Sequence, residues 1–145
     1  SPELADRLQK VGEYIRFKSS LPARLNEFAI LIVAREWTAQ YEWFAHHPLA
    51  LKAGLKASIA EDLTAGRRPR DMEGDEAAVY DFTTALLHQH QISADLYHAT
   101  RAVLSEQQIV DLLGLLGYYT AVSMTLNVAE VPVPAGTNPP LQPLR

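Results

Sequence analysis

Apolar residues recur every three or four positions along most of the chain, the period of a helix that buries one face. Leu4, Leu8, Val11 and Ile15 share such a face, and Pro2 after Ser1 suits a first helical turn, so a helix is predicted to about Phe17. Ser19, Ser20 and Pro22 interrupt the pattern; Leu25, Phe28, Ala29, Ile32, Val33 and Trp37 then resume it, predicting a second helix over 22–38. The run 41–53 is helical in pattern, but Pro48 lacks a backbone donor and is expected to start, kink or end a segment. Gly54 closes that run as a C-terminal cap. Ser58 with Glu61 reads as a capping box for a short helix ending at Gly66, followed by a loop over 67–74. Asp75 is expected to cap a helix carrying Ala78, Phe82, Ala85 and Leu86, and Ser93 another carrying Leu96, Tyr97, Thr100 and Leu104. Ser105 with Gln108 makes a further capping box, opening a last long helix to about Val128.

No stretch keeps up the strict alternation of a half-buried strand, so the expected fold is all-α, with six or seven helices. At 145 residues the chain makes one domain, over 1–130, and a tail, 131–145, holding five of the nine prolines and one charge. That tail reads as extended, resting on the body or on a neighbouring subunit. Residues 112–129 carry no formal charge, at the lower length limit for a membrane span. Tyr118, Tyr119, Thr120, Ser123, Thr125 and Asn127 within it, and the lack of a basic flank, indicate a central core helix and no membrane. Gly114 and Gly117 predict a closely packed face on this helix. Its apolar surface exceeds what a small monomer needs, which predicts a homo-oligomer (dimer, trimer or hexamer) joined through this helix and the tail.

Charge narrows the function classes. The net charge is −4, and only Arg67, Arg68 and Arg70 cluster among the basic residues, so no nucleic-acid partner is expected. The chain has no cysteine, which excludes disulfides, thiolate metal sites and thiol catalysis. The first residues mix acidic and basic side chains rather than following a signal peptide's basic-then-apolar order, and a cytoplasmic location is the expectation.

Candidate chemistry concentrates in 27–54, which holds both tryptophans, two of the five histidines and three glutamates. Glu42 and His46, four residues apart, share a helix face, and a carboxylate beside an imidazole can orient and tune it for proton transfer. The plain alternative is a surface ion pair. Glu27 can join them if the chain folds back near Ala39; otherwise it sits solvated at the edge of an apolar face. A di-iron site would need Glu-x-x-His twice, and the spacing here is four and occurs once, so neither a metal nor another cofactor is expected. Asp95 and His98 have three-residue spacing but no partner copy. His47, His88 and His90 read as surface or cap residues, Asn127 as a buried, satisfied amide, and Tyr41, Trp37 and Trp43 as core or subunit-contact residues, with pocket lining as the second reading.

Glu27, the segment YEWFAHHPLALKAG with His46, Ala50 and Gly54, and the late segment GYYTAVSMTLNVAEVPVP over 117–134 together resemble the carboxymuconolactone decarboxylase and alkylhydroperoxidase AhpD-like family, from about Leu21 to Pro134. The resemblance implies a helical fold with a repeated helical motif, homo-oligomers, and a site between helices near a subunit contact. Glu42 and His46, with Glu27 in support, are the expected catalytic residues, and Tyr41 and Trp43 the expected substrate contacts. In the thiol-peroxidase branch a glutamate precedes Cys-x-x-Cys, with a histidine four residues after the second cysteine. Placing His46 on that histidine sets Glu27 on the glutamate, and Ala39 and Glu42 on the two cysteines. Thiol peroxidase chemistry is therefore not expected. The resemblance leaves a carboxy-lyase acting on a small organic acid or lactone, or a non-catalytic oligomer that binds such a ligand.

Overall fold

A computed structural model describes residues 1–143. Seven helices make up the described fold, without strands: α1 (Pro2–Phe17), α2 (Ala23–Glu36), α3 (Gln40–Lys52), α4 (Ala57–Thr64), α5 (Gly74–Gln89), α6 (Ala94–Arg101) and α7 (Glu106–Val128). The axis is α2. From Leu25 to Arg35 every side chain but Glu27 is buried, as befits a helix apolar almost all round. The helices α3, α4, α5 and α7 pack around it, and α1 lies outside against α7.

The turn from α2 into α3 is tight. Thr38 adopts a left-handed backbone (φ 47°), and the Ala39 amide donates to the Ala34 carbonyl at 2.8 Å, so α3 folds back along α2. Two polar ties and one close approach fix the other helices. Arg24 on α2 donates to Asp75 at 2.7 Å and to the fully buried Glu76, both on α5. Asp111 on α7 accepts from the Ser20 amide at 2.7 Å, the Ser20 hydroxyl at 2.6 Å and the Tyr14 hydroxyl at 3.1 Å, joining α1, the α1–α2 link and α7. Gly12 lets Tyr118 approach α1 closely, because a Cβ there would collide with the phenol ring.

Several local expectations are corrected. α3 continues through Pro48, which is exposed, so the lost donor falls on the outer side of a helix secured by its packing on α2. Ser58 lies inside α4, whose N-cap is Lys56 without a side-chain bond. Glu73, not Asp75, caps α5, in a reciprocal box with Glu76, and Asp75 is turned to Arg24 instead. The caps at Ser93 and at Ser105 with Gln108 form as expected.

α7 is long and apolar enough to cross a membrane by length and composition. Its inner face, with Leu112, Leu115, Leu116 and Tyr119, is buried. Its outer face is open: among the described residues none approaches Gly114 or Gly117, and Val110 and Val128 are 64% and 88% exposed. The close partner expected at the two glycines is not found among the described residues. The tail rests on the body: Leu141 is buried, its backbone N–H and C=O both bonded to the Gln40 amide side chain at 2.9 and 2.7 Å. Gln142 offers its carbonyl to Arg35 at 2.7 Å.

Candidate functional site

Folding α3 back along α2 brings Glu27 and His46 together across the turn. His46 Nδ1 lies 2.6 Å from Glu27 Oε2, and its Nε2 lies 2.9 Å from Glu42 Oε1, one turn earlier on α3. The imidazole is thus held at both nitrogens between two carboxylates. His46 and Glu42 are nearly sealed from solvent, with side chains 8% and 6% exposed, and Glu27 is only slightly more open. Glu27, the one incompletely buried side chain between Leu25 and Arg35, is at the edge of the apolar face but bonded rather than merely solvated.

Burial alone would push the His46 imidazole down. The hydrogen bonds and charges of Glu27 and Glu42 outweigh it and raise the pKa to about 9. At neutral pH His46 is therefore an imidazolium, with Nδ1 hydrogen-bonded to Glu27 and Nε2 within ion-pair distance of Glu42. Among the described residues no cluster of histidine and acidic side chains is arranged to hold a metal ion.

The aromatic ring against His46 is Tyr119 of α7, edge-on at 5.2 Å between centroids. Burial, and then the Glu42 charge, push its phenol well above the ordinary tyrosine range, so it stays protonated. Sequence reasoning did not single out Tyr119. Its signal was its register with Leu112, Leu115 and Leu116 on the inner face of α7. Tyr41 is exposed and packs near Phe44 at 6.4 Å, whereas Trp43 is buried and stacks on His47 at 5.8 Å. His88 pairs with Glu36 at 2.7 Å, and His90 forms the left-handed cap of α5. Asn127 is exposed rather than buried, with its amide donating to the Trp37 carbonyl at 2.8 Å. Asp95 and His98 are both exposed on the short α6.

The arrangement of helices as a whole also occurs among solved structures. A crystal structure of a protein of unknown function from Agrobacterium tumefaciens, described as a candidate AhpD antioxidant defence protein, matches with a TM-score of 0.81 over 93% of both chains. The fold is AhpD-like. Sequence identity over that match is 14%, so the likeness carries the architecture and not an activity. No family model matches the sequence, and no curated protein matches it significantly. Within this AhpD-like fold, thiol chemistry has no residue to run on, since cysteine is absent from the whole chain.

Proposed function

We propose that the protein is an acid–base enzyme, a carboxymuconolactone decarboxylase-like lyase acting on a small lactone or carboxylic acid without any cofactor. The observation that carries this reading is a buried imidazole held protonated between Glu27 and Glu42. In such a decarboxylation the bond to the carboxylate carbon breaks, carbon dioxide leaves, and the electron pair passes into a neighbouring carbonyl as an enolate. That enolate takes a proton at carbon, which His46 supplies, and solvent then returns a proton to the imidazole. Glu42 and Glu27 hold the ring in register. The protonated Tyr119 phenol is assigned as the donor to the developing oxyanion, and Tyr41, exposed one residue before Glu42, as a contact on the substrate side. Trp43, being buried, supports α3 behind the site.

A second reading, a non-catalytic oligomer binding a small ligand, is favoured by how little of His46 and Glu42 reaches solvent in one chain. Either reading goes with a homo-oligomer. Val110, Gly114, Gly117, Met124 and Val128 recur along the open face of α7 at spacings of three, four or seven, the register of a helix-to-helix seam. A cytoplasmic location accords with both.

The test is carbon dioxide release from 4-carboxymuconolactone and related lactone acids by wild type, Glu42→Gln and His46→Ala, with peroxide consumption measured alongside. Wild type is expected to turn over at least one of them, and His46→Ala to lose about a hundredfold to ten-thousandfold in rate. Absence of turnover by wild type, or variants that match it, would leave the ligand-binding reading. Peroxide reduction at the rate of a thiol enzyme would overturn both.

A further inference from the structure

Arg35 lies eight residues beyond Glu27 on α2, about 12 Å further along the helix at 1.5 Å per residue. It is an unusual cation. Its side chain is almost entirely buried, yet its hydrogen-bond partners are all neutral: the Thr64 carbonyl at 3.3 Å, the Thr38 hydroxyl at 3.0 Å and the Gln142 carbonyl at 2.7 Å. No carboxylate among the described residues pairs with it, and its Nε–H has no acceptor. Glu36, next in sequence, is turned to His88, and its charge acts on Arg35 only at a distance, outweighed by the burial that lowers the guanidinium pKa. A buried charge without a counter-ion is costly, and an ordinary protein pairs it or replaces it. Holding the tail and the end of α4 accounts for three bonds of the guanidinium but not for its charge.

Arg35 lines a cleft of about 220 Å³, together with Ile32, Leu63, Arg67, Tyr80 and His88. A second guanidinium, that of Arg67, stands at its rim, more than half exposed and paired with Asp62 at 2.7 Å. Asp62 is shared between Arg70 and Arg67, which together hold its carboxyl down at about 2, so one acid serves two guanidinium groups. The acid lining the cleft, Glu36, is occupied by His88. Ile32, Leu63 and the Tyr80 ring form the apolar part of the wall, and a cavity of about 150 Å³ already accommodates a benzene ring.

We propose that this cleft binds a small organic carboxylate, its charge met by Arg35 and Arg67 and its flat apolar body by Ile32, Leu63 and Tyr80. The site is distinct from the Glu27–His46–Glu42 cluster and independent of any catalysis there. The carboxylate supplies Arg35 with an ion-pair partner that no described residue provides, exchanging the long contact to the Thr64 carbonyl for a charge-assisted one.

Isothermal titration calorimetry of the full chain at low salt, with benzoate as the probe and inorganic phosphate in a separate arm, tests this. Benzoate is expected to bind saturably and more weakly as salt rises. Arg67→Gln, an exposed substitution that leaves Asp62 paired with Arg70, is expected to weaken it about tenfold or more, and Arg35→Gln to abolish it. Circular dichroism confirms that each variant is folded; the Arg67 variant alone decides the matter if Arg35→Gln is not. Lack of benzoate binding by wild type, or undiminished binding by Arg67→Gln, overturns the site. Phosphate binding as tightly as benzoate overturns the role of the apolar wall.

Discussion

Raising the pH should loosen this protein through one residue. His46 has its pKa raised from 6.5 to about 9 in the fold. A group whose pKa is higher folded than unfolded contributes stability that is fully present below its unfolded value and is lost as pH climbs through its folded value. The window is thus pH 6.5 to about 9, across which the folded state gives up its preference for the imidazolium. At ~1.4 kcal/mol per pH unit that preference amounts to about 3 kcal/mol, a large share of the ~5–15 kcal/mol that holds a small domain together. His46 and both carboxylates are largely removed from solvent, so screening takes little from the figure. The neighbouring His47, pushed down by burial, acts in the other direction and below this window, since its stabilisation is lost as pH falls through 6.5 and under. The assay is urea unfolding of wild type and His46→Gln at half-unit steps from pH 6 to 10. The advantage of wild type over the variant is expected to be largest near pH 6 and to shrink by about 3 kcal/mol by pH 9.5. Two curves that stay parallel across the window would refute the reasoning, because the imidazolium would then gain nothing from its two carboxylates.

Glu27→Gln removes the partner at 2.6 Å and should lower the His46 pKa from about 9 toward 6.5, read from the imidazole resonances in an NMR pH titration; an unmoved midpoint would assign the shift to Glu42 alone. Leu141→Ala should cost about 2–4 kcal/mol in urea unfolding, because it empties a buried position beneath the tail, and a cost under ~0.5 kcal/mol would mean that the tail is not seated there. Arg24→Ala should destabilise by about 3–5 kcal/mol in urea unfolding at pH 7, since it strips the fully buried Glu76 of its guanidinium; a loss under ~1 kcal/mol would mean that the pair adds little to the fold.

The sequence by itself determined which segments are helical and much of how they begin. The three-to-four period marks the helices whether or not the face is covered: α7 buries it, whereas on α1 Leu4, Leu8 and Val11 stand exposed and only Ile15 is buried; the box at Ser105 with Gln108 and the cap at Ser93 close because their partners lie within one turn. It misassigned two caps, at Ser58 and Asp75. The choice at Asp75 was made by Arg24, a residue 51 positions away. The site was half legible. Glu42 and His46 share a face by spacing alone, but whether Glu27 joined them hung on the left-handed turn at Thr38, and Tyr119 could be placed beside His46 only once α7 crossed the hairpin. That the Arg35 guanidinium is bonded only to neutral groups was invisible in one dimension, because the sequence places Glu36 beside it but does not show that Glu36 pairs with His88 instead. Helix formation and capping are decided within a turn or two of the chain, where spacing is geometry. Convergence of side chains, their burial and the pKa values that burial sets depend on which helices meet, and only the packed structure fixes that.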